Sequence, residues 1–136
     1  MPKIQQVTIY RRPDTSVPWF TIDDEYNQVI KTNYRDTGKI LHIPFVESVD
    51  DGTAHERLKD LLTMHIVLVY TSLENAVEFL SDPWVQSAVN KRIMYCAEHK
   101  ISTDIIINEF DDQGLITRAR TCSDPNSLRF VMQGMM

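Results

Sequence analysis

Alternation of apolar and polar residues along the chain predicts several β-strands. Around Val7 the two kinds of residue alternate, which is the two-residue period of a strand with one face partly wet. The stretch 64–70 is almost continuously apolar and predicts the central strand of a sheet. Alternation returns over 103–108, and a turn-forming Asp-Asp-Gln-Gly segment then leads into 115–122. We therefore expect the last two strands to form a hairpin.

A helix is predicted between the first two of these strands, because apolar residues recur there at helical spacing. Thr21 and Asp24 have the spacing of a capping box, and Gly38 offers a C-terminal stop. The apolar stripe has one side only, which suits a helix lying on a sheet. A further strand follows over 39–49, where Pro44 indicates an edge or a bulge.

A second helical region follows the central strand. Ser72 suits the N-cap position, and an apolar stripe comes after it. Asp82 and Pro83 then favour a new start, because Asp caps helices and Pro is tolerated at the first helical position. We expect a break there, with the second piece ending near His99.

The order of these elements is strand, helix, strand, strand, helix, strand and one added strand. It predicts an α+β fold of the ferredoxin-like βαββαβ kind, with an antiparallel sheet, helices on one face and an added C-terminal hairpin strand. Residues 1–122 form the predicted domain. Residues 123–136 form a C-terminal tail, which is too apolar for an ordinary frayed end and is expected to dock on its own or a neighbouring subunit. The other sheet face would still carry apolar residues such as Ile106 and Phe110, and a second copy of the chain is the simplest cover.

Composition and charge narrow the class of protein. With 136 residues, 43% of them hydrophobic, the chain is long enough for one core and one domain. No apolar run approaches the roughly 20 residues that span a bilayer, so no membrane partner is predicted. Two cysteines are too few for a disulfide framework and favour a soluble protein in a reducing, cytoplasmic or intracellular compartment. The net charge of −5 argues against a nucleic-acid partner bound through a broad basic face.

No strong catalytic motif occurs in the chain. It contains no glycine-rich phosphate loop, nucleophile elbow or Cys-x-x-Cys pair, and the pairs at 55–56 and 96–99 lie on different elements and cannot close a four-ligand metal site. We therefore predict no catalytic residue, no metal and no cofactor. If the fold encloses a pocket, four residues should be tested first. A histidine in a strand would supply a polar contact, and three aromatic residues would line the pocket. The four residues are His65, Tyr70, Trp84 and Tyr95. The alternative for His65 is a hydrogen-bonded core or interface histidine.

The second half of the chain resembles a known superfamily. An apolar strand ending in Tyr-Thr-Ser leads into a Ser-capped helix that carries a phenylalanine and breaks at Ser-Asp-Pro. This succession, over residues 63–110, resembles the dimeric α/β-barrel superfamily, which includes antibiotic-biosynthesis-monooxygenase-like proteins. The resemblance implies two subunits packed sheet on sheet. It also implies, for some members, haem binding or oxidation of aromatic substrates in a cavity between sheet and helices, while others have no known activity.

Two functions of different classes follow. The first is a non-enzymatic, self-associating assembly or interaction module, for instance a small subunit of a larger particle such as a virion, whose partner is another copy of the chain or another protein. It rests on the missing catalytic motifs, the uncovered sheet face and the apolar tail. The alternative is a small-molecule-binding or monooxygenase-like enzyme of the dimeric α/β-barrel kind. An open pocket beneath the helices would favour the enzyme, and a filled core would favour the module.

Overall fold

The computed structural model describes residues 3–20, 24–42 and 61–136. Its strands are β1 (Lys3–Arg11), β2 (Ile40–His42), β3 (Thr63–Tyr70), β4 (Ser102–Phe110) and β5 (Ile116–Cys122). They form one five-stranded sheet in the order β2-β3-β1-β4-β5, and every neighbouring pair is antiparallel. The fold is therefore mixed α+β. β1 lies at the centre of the sheet, and the stretch 64–70, predicted as the central strand, is its neighbour β3.

Four α-helices occur in the described part of the chain. They are α1 (Asp24–Ile30), α2 (Leu73–Ser81), α3 (Pro83–Glu98) and α4 (Leu128–Met135). α1 continues into one π-helical turn over Lys31–Arg35, which the sequence pattern did not predict. Among the described residues, no helix is long and apolar enough to cross a membrane.

The main core lies between these helices and one face of the sheet. From the sheet, Ile4 of β1 and Ile107 of β4 are fully buried. Phe79 of α2, Val85 of α3 and Met132 of α4 belong to the same cluster, to which α1 also contributes. The helices therefore cover the same sheet face, because their apolar stripes meet strand residues of a single parity.

The loop after β1 is held against one end of this body. The ring of Phe20 meets that of Tyr10 edge-on, with centroids 4.8 Å apart. Arg12 anchors the loop by donating hydrogen bonds from Nε to the carbonyl oxygen of Leu61 and from Nη1 to that of Val17, both at 2.8 Å. Side chains of this loop thus help to form a second, smaller core cluster.

Short-range sequence signals explain where α2 and α3 begin. Ser72 Oγ accepts a hydrogen bond from the backbone N–H of Asn75 at 3.1 Å, as an N-cap does. Asp82 leaves the helical conformation, with φ −64° and ψ 122°, and its Oδ1 accepts from the N–H of Trp84 at 2.8 Å. The predicted cap and the predicted helix break are both confirmed.

The C-terminal segment is a helix packed on its own chain. α4 buries Leu128, Met132 and Met135 in the main core, whereas Phe130 is 57% exposed on its outer side. Arg118 of β5 donates a hydrogen bond from Nη2 to the carbonyl oxygen of Met135 at 2.7 Å. These residues therefore form part of the core.

Some predictions concern residues outside the described ranges. They are the capping residue Thr21, the strand prolonged beyond 42 with Pro44, and the pair at 55–56. The predicted stop at Gly38 lies within the described part, and there Gly38 takes a φ of 77°, a conformation that favours glycine.

Candidate functional site

The two faces of the sheet differ most clearly in β1. Gln6, Thr8 and Tyr10 are buried and face the helices, whereas Val7 and Ile9 are partly exposed on the opposite face. The alternation was predictable, yet the more polar set is the buried one because the helices pack on that side. The covered face therefore buries polar side chains, and the opposite face exposes apolar ones. Each face is a candidate site.

The sheet face turned away from the helices is called the open face. Val7 pairs in register with Val67 of β3 and with Ile106 of β4, so three apolar side chains lie side by side across three strands. All three are partly exposed, and no described helix packs on them. The strand register places the following apolar residues on the open face: Val7, Ile9, Val67, Val69, Ile106, Phe110 and Ile116. A continuous apolar strip of this kind is a candidate interaction surface.

Polar groups on the open face pair with one another. Arg11 Nη1 donates to Asp104 Oδ2 at 2.6 Å, and Asn108 Nδ2 donates to Gln5 Oε1 at 3.1 Å. The charged pair is neutral as a whole, and both pairs span neighbouring strands. A second apolar sheet could pack here without separating these partners.

A cavity lies on the other side of the sheet, beneath the helices. Its free space is about 60 Å³, and the C-terminal segment closes part of it with Pro125 and Leu128. Because a buried water needs about 10–15 Å³ of such space, the cavity has room for a few water molecules or one small ligand. Its apolar walls include Ile30, Ile66, Leu68, Phe79, Val89 and Ile105.

Buried polar side chains form a hydrogen-bonded chain along the sheet side of the cavity. The Tyr70 hydroxyl donates to Gln6 Oε1 at 2.6 Å, and Gln6 Nε2 donates to Thr8 Oγ1 at 3.4 Å. Burial raises the pKa of Tyr70 well above its ordinary value, so this hydroxyl remains a donor. The Thr8 hydroxyl hydrogen, at the end of the chain, meets no acceptor among the residues that the structure describes.

Arg92 of α3 brings a positive charge to the cavity wall. Its Cζ lies 4.8 Å from the ring centroid of Phe20 and 5.7 Å from that of Tyr26, and the side chain hydrogen-bonds Tyr10. Burial lowers the pKa of Arg92, but the phenol groups of Tyr10 and Tyr26 raise it by more than burial lowers it. The pKa is therefore raised overall, and Arg92 stays a cation. Within the described ranges, no carboxylate pairs with it.

The other titratable groups on this wall are neutral. Burial raises the pKa of Tyr10 and of the Cys96 thiol, although Arg92 acts in the opposite direction on both. A protonated thiol is a poor nucleophile, since the thiolate is the reactive form. The cavity therefore presents one cation and several neutral hydrogen-bonding groups, an arrangement suited to binding rather than to nucleophilic attack.

The structure does not bring the four residues of the predicted pocket together. His65 is exposed on the open face, whereas Tyr70 is fully buried on the helix side. Trp84 stacks on Tyr26 with centroids 5.3 Å apart, and Tyr95 lies in the smaller core cluster. The cavity is lined by other residues, so binding by the four stays a prediction.

Sequence reasoning missed Arg92, Gln6 and Thr8. Adjacent lysine and arginine residues on a helix, such as those at 91–92, ordinarily form a solvated surface. A usable signal was nevertheless present: Val85, Val89 and Arg92 follow one another at helical spacing, which places Arg92 on the buried stripe of α3.

Neither a metal site nor a relative points to a function. Among the described residues, no three His, Cys, Asp or Glu side chains cluster closely enough to hold a metal ion. Comparisons with protein-family models, with curated proteins and with solved structures found no match. The function is therefore argued from the geometry of the two faces.

Proposed function

We propose that this chain is a non-enzymatic, self-associating module in which the open faces of two copies pack against each other. The observation that carries the proposal is the in-register group of Val7, Val67 and Ile106, which is apolar and partly exposed at the centre of the sheet. Removing apolar surface from water stabilises by about 25 cal/mol per Å². A second copy offers the same apolar strip, and an interface of this kind closes with twofold symmetry.

The size of the open face lies at the lower end of the range for a stable dimer. The five strands contain 9, 3, 8, 9 and 7 residues, which is 36 in all. At ~3.4 Å per residue and ~4.8 Å per strand these residues give about 600 Å² per copy. Two copies would then bury about 1,200 Å² in all, where specific interfaces bury about 1,200–2,000 Å². The net charge of −5 opposes association, but Arg11 and Asp104 neutralise each other on this face.

The strand order supports a ferredoxin-like arrangement as part of this proposal. β3 lies between β1 and β2, and β1 lies between β3 and β4. This order supports a split-βαβ plan, in which each βαβ unit would be split by a strand of the other, with β5 added beside β4. The resemblance to dimeric α/β-barrel proteins, in which two sheets face each other, favours the same kind of assembly.

A charge at the centre of the open face tests the proposal. In Val67→Asp, two like charges would be buried in one interface, so a dimer should become a monomer in size-exclusion chromatography with light scattering. Met94→Asp is the matched control, because it replaces an apolar side chain that is 71% exposed on α3, on the other side of the molecule. Its mass should equal that of the wild type.

Circular dichroism establishes that each variant is folded, and Ile106→Lys serves as a second disrupting change if Val67→Asp does not fold. A folded Val67→Asp that keeps the dimer mass would contradict the proposal. A wild type that is monomeric would contradict it without any variant.

Small-molecule binding in the cavity is the second candidate function, with the monooxygenase-like enzyme as its extended form. The buried donor Thr8 and the partly buried Arg92 at the wall of an apolar cavity favour it. The free space of about 60 Å³ is small, however. Ligand pockets usually measure roughly 300–1,000 Å³, so haem or a large aromatic substrate would require the helices to move apart. A shifted haem band on mixing haem with the pure protein would favour the enzyme.

A further inference from the structure

We propose that the cavity between sheet and helices binds a small organic carboxylate, with Arg92 as its charged partner. The inference goes beyond self-association and does not depend on it, because the cavity and the open face lie on opposite sides of the sheet. It rests on three properties of the cavity: its hydrogen-bonding groups, its charge and its size.

The Thr8 hydroxyl at the cavity has no acceptor for its hydrogen among the described residues. Thr8 is only 5% exposed, and its oxygen already accepts from Gln6, so its hydroxyl hydrogen is available to a ligand. Among the described residues nothing accepts that hydrogen. A buried donor without an acceptor is destabilising. A group that only accepts hydrogen bonds, as a carboxylate does, would satisfy Thr8 and the free N–H groups of Arg92 together.

The charge at the cavity is uncompensated in the described part of the chain. Arg92 meets the ring faces of Phe20 and Tyr26 and the hydroxyl of Tyr10, and no described carboxylate pairs with it. Ring faces attract a guanidinium but do not neutralise it. Arg92 is partly buried, and a charge partly removed from water is stabilised by an opposite charge. A carboxylate matches the planar guanidinium with two parallel hydrogen bonds.

The size and the apolar walls of the cavity restrict the part of the ligand that is attached to the carboxylate. About 60 Å³ of free space between aliphatic and aromatic side chains accommodates a short hydrocarbon chain. Phosphate fits less well, since it is a strongly hydrated anion and the described lining offers one cation. A monocarboxylate with about two to four carbons combines the required acceptor, charge and size.

The first test titrates the ¹⁵N-labelled full chain with sodium butyrate at constant ionic strength. Binding should shift the Arg92 Nε–H signal and the Thr8 amide signal in a saturable way. Two probes separate the contributions: butylammonium chloride has the same chain with the opposite charge, and sodium phosphate is an anion without the chain. Both should leave these signals unshifted.

The second test compares two substitutions that change the charge equally. Arg92→Met keeps an unbranched apolar side chain in place of the arginine stem and removes the cation, and it should weaken butyrate binding at least tenfold. Lys91→Met, at the exposed neighbouring position, should bind butyrate as the wild type does. If Arg92→Met does not fold, Thr8→Val takes its place and should weaken binding several-fold.

Four results would overturn the proposal. They are a wild type that shows no saturable shift with butyrate, equal shifts with butylammonium, phosphate binding in preference to butyrate, and a folded Arg92→Met that binds butyrate as tightly as the wild type. The first would indicate that water alone fills the cavity. The third would replace the carboxylate by an inorganic anion.

Discussion

The helix-covered face and the open face are built from alternate residues of the same strands. They differ in that one leaves a buried hydrogen-bond donor without an acceptor and the other leaves apolar side chains exposed to water. The covered face buries Gln6 and Thr8 beside Arg92, and in the described part of the chain the Thr8 hydroxyl hydrogen meets no acceptor. The open face has paired polar groups but leaves Val67 and Ile106 partly exposed. A sheet of this kind can therefore serve polar recognition on one side and apolar association on the other.

The largest expected effect comes from removing the helix that completes the covered face. Deleting residues 127–136 takes Leu128, Met132 and Met135 out of the main core. Each such loss costs about 2–5 kcal/mol, so the truncated chain should lose more than about 5 kcal/mol or fail to fold. Thermal and chemical denaturation measure this loss. Phe130→Ala, on the exposed side of the same helix, should change stability little. Equal melting temperatures for the truncated and full-length chains would contradict the packing of α4.

Adjacent residues of β4 allow the two faces to be compared directly. Ile107→Ala removes a fully buried side chain from the covered face and should cost about 2–5 kcal/mol at every protein concentration. Ile106→Ala acts on the open face and should cost less in a dilute sample. Its cost should grow with protein concentration, because the lost contact belongs to the dimer. Denaturant titrations of both variants at two protein concentrations measure these losses of stability. If the stability lost in Ile106→Ala does not depend on protein concentration, the dimer through the open face is contradicted.

A smaller effect is expected at the start of α2. Ser72→Ala removes the acceptor of the Asn75 N–H and should lower the free energy of unfolding by about 1 kcal/mol. Ser87→Ala, at an exposed position within α3, removes no cap and serves as the control. Since α2 lies on the covered face, neither change should alter the mass of the assembly. An unchanged denaturation midpoint for Ser72→Ala would show that this hydrogen bond does not stabilise the helix.

The smallest effect concerns the ion pair between Glu109 and Arg118. Arg118 donates to both carboxylate oxygens, at 3.0 and 2.8 Å, and holds the pKa of Glu109 below its ordinary value. Because the folded pKa is the lower one, the pair stabilises the fold above the ordinary value of 4.5 and loses this contribution as the pH falls through the folded pKa. Solvent screens the pair, so the effect is modest.

Glu109→Gln should therefore flatten the dependence of melting temperature on pH in the acid range. Glu98→Gln, at the exposed end of α3, controls for the change in net charge. The ion pair would be irrelevant to stability if Glu109→Gln melted with the pH profile of the wild type.

Short-range chemistry made much of the fold predictable. The cap at Ser72 and the break at Asp82 depend on residues within three positions, so the sequence contains all of the relevant partners. Two-residue alternation predicted β1 and β4, and a nearly continuous apolar run predicted β3. The π-helical turn at Lys31–Arg35 has no comparable local signal.

The candidate sites were less predictable because burial depends on distant elements. Gln6 and Thr8 are buried because α2 and α3, more than 60 residues further along, pack on their side of β1. Arg92 is placed at the cavity by the same contacts, in spite of its charge. The open face was anticipated through Ile106, whose strand is apolar on both sides.

Sedimentation equilibrium of the wild-type chain, over concentrations from dilute to concentrated, tests most directly whether the open face joins two copies. The predicted result is a mass that rises toward twice that of one chain, with Val67→Asp remaining at the mass of one chain throughout. A wild type that keeps the mass of a single chain at every concentration would contradict the dimer and leave the open face without its proposed partner.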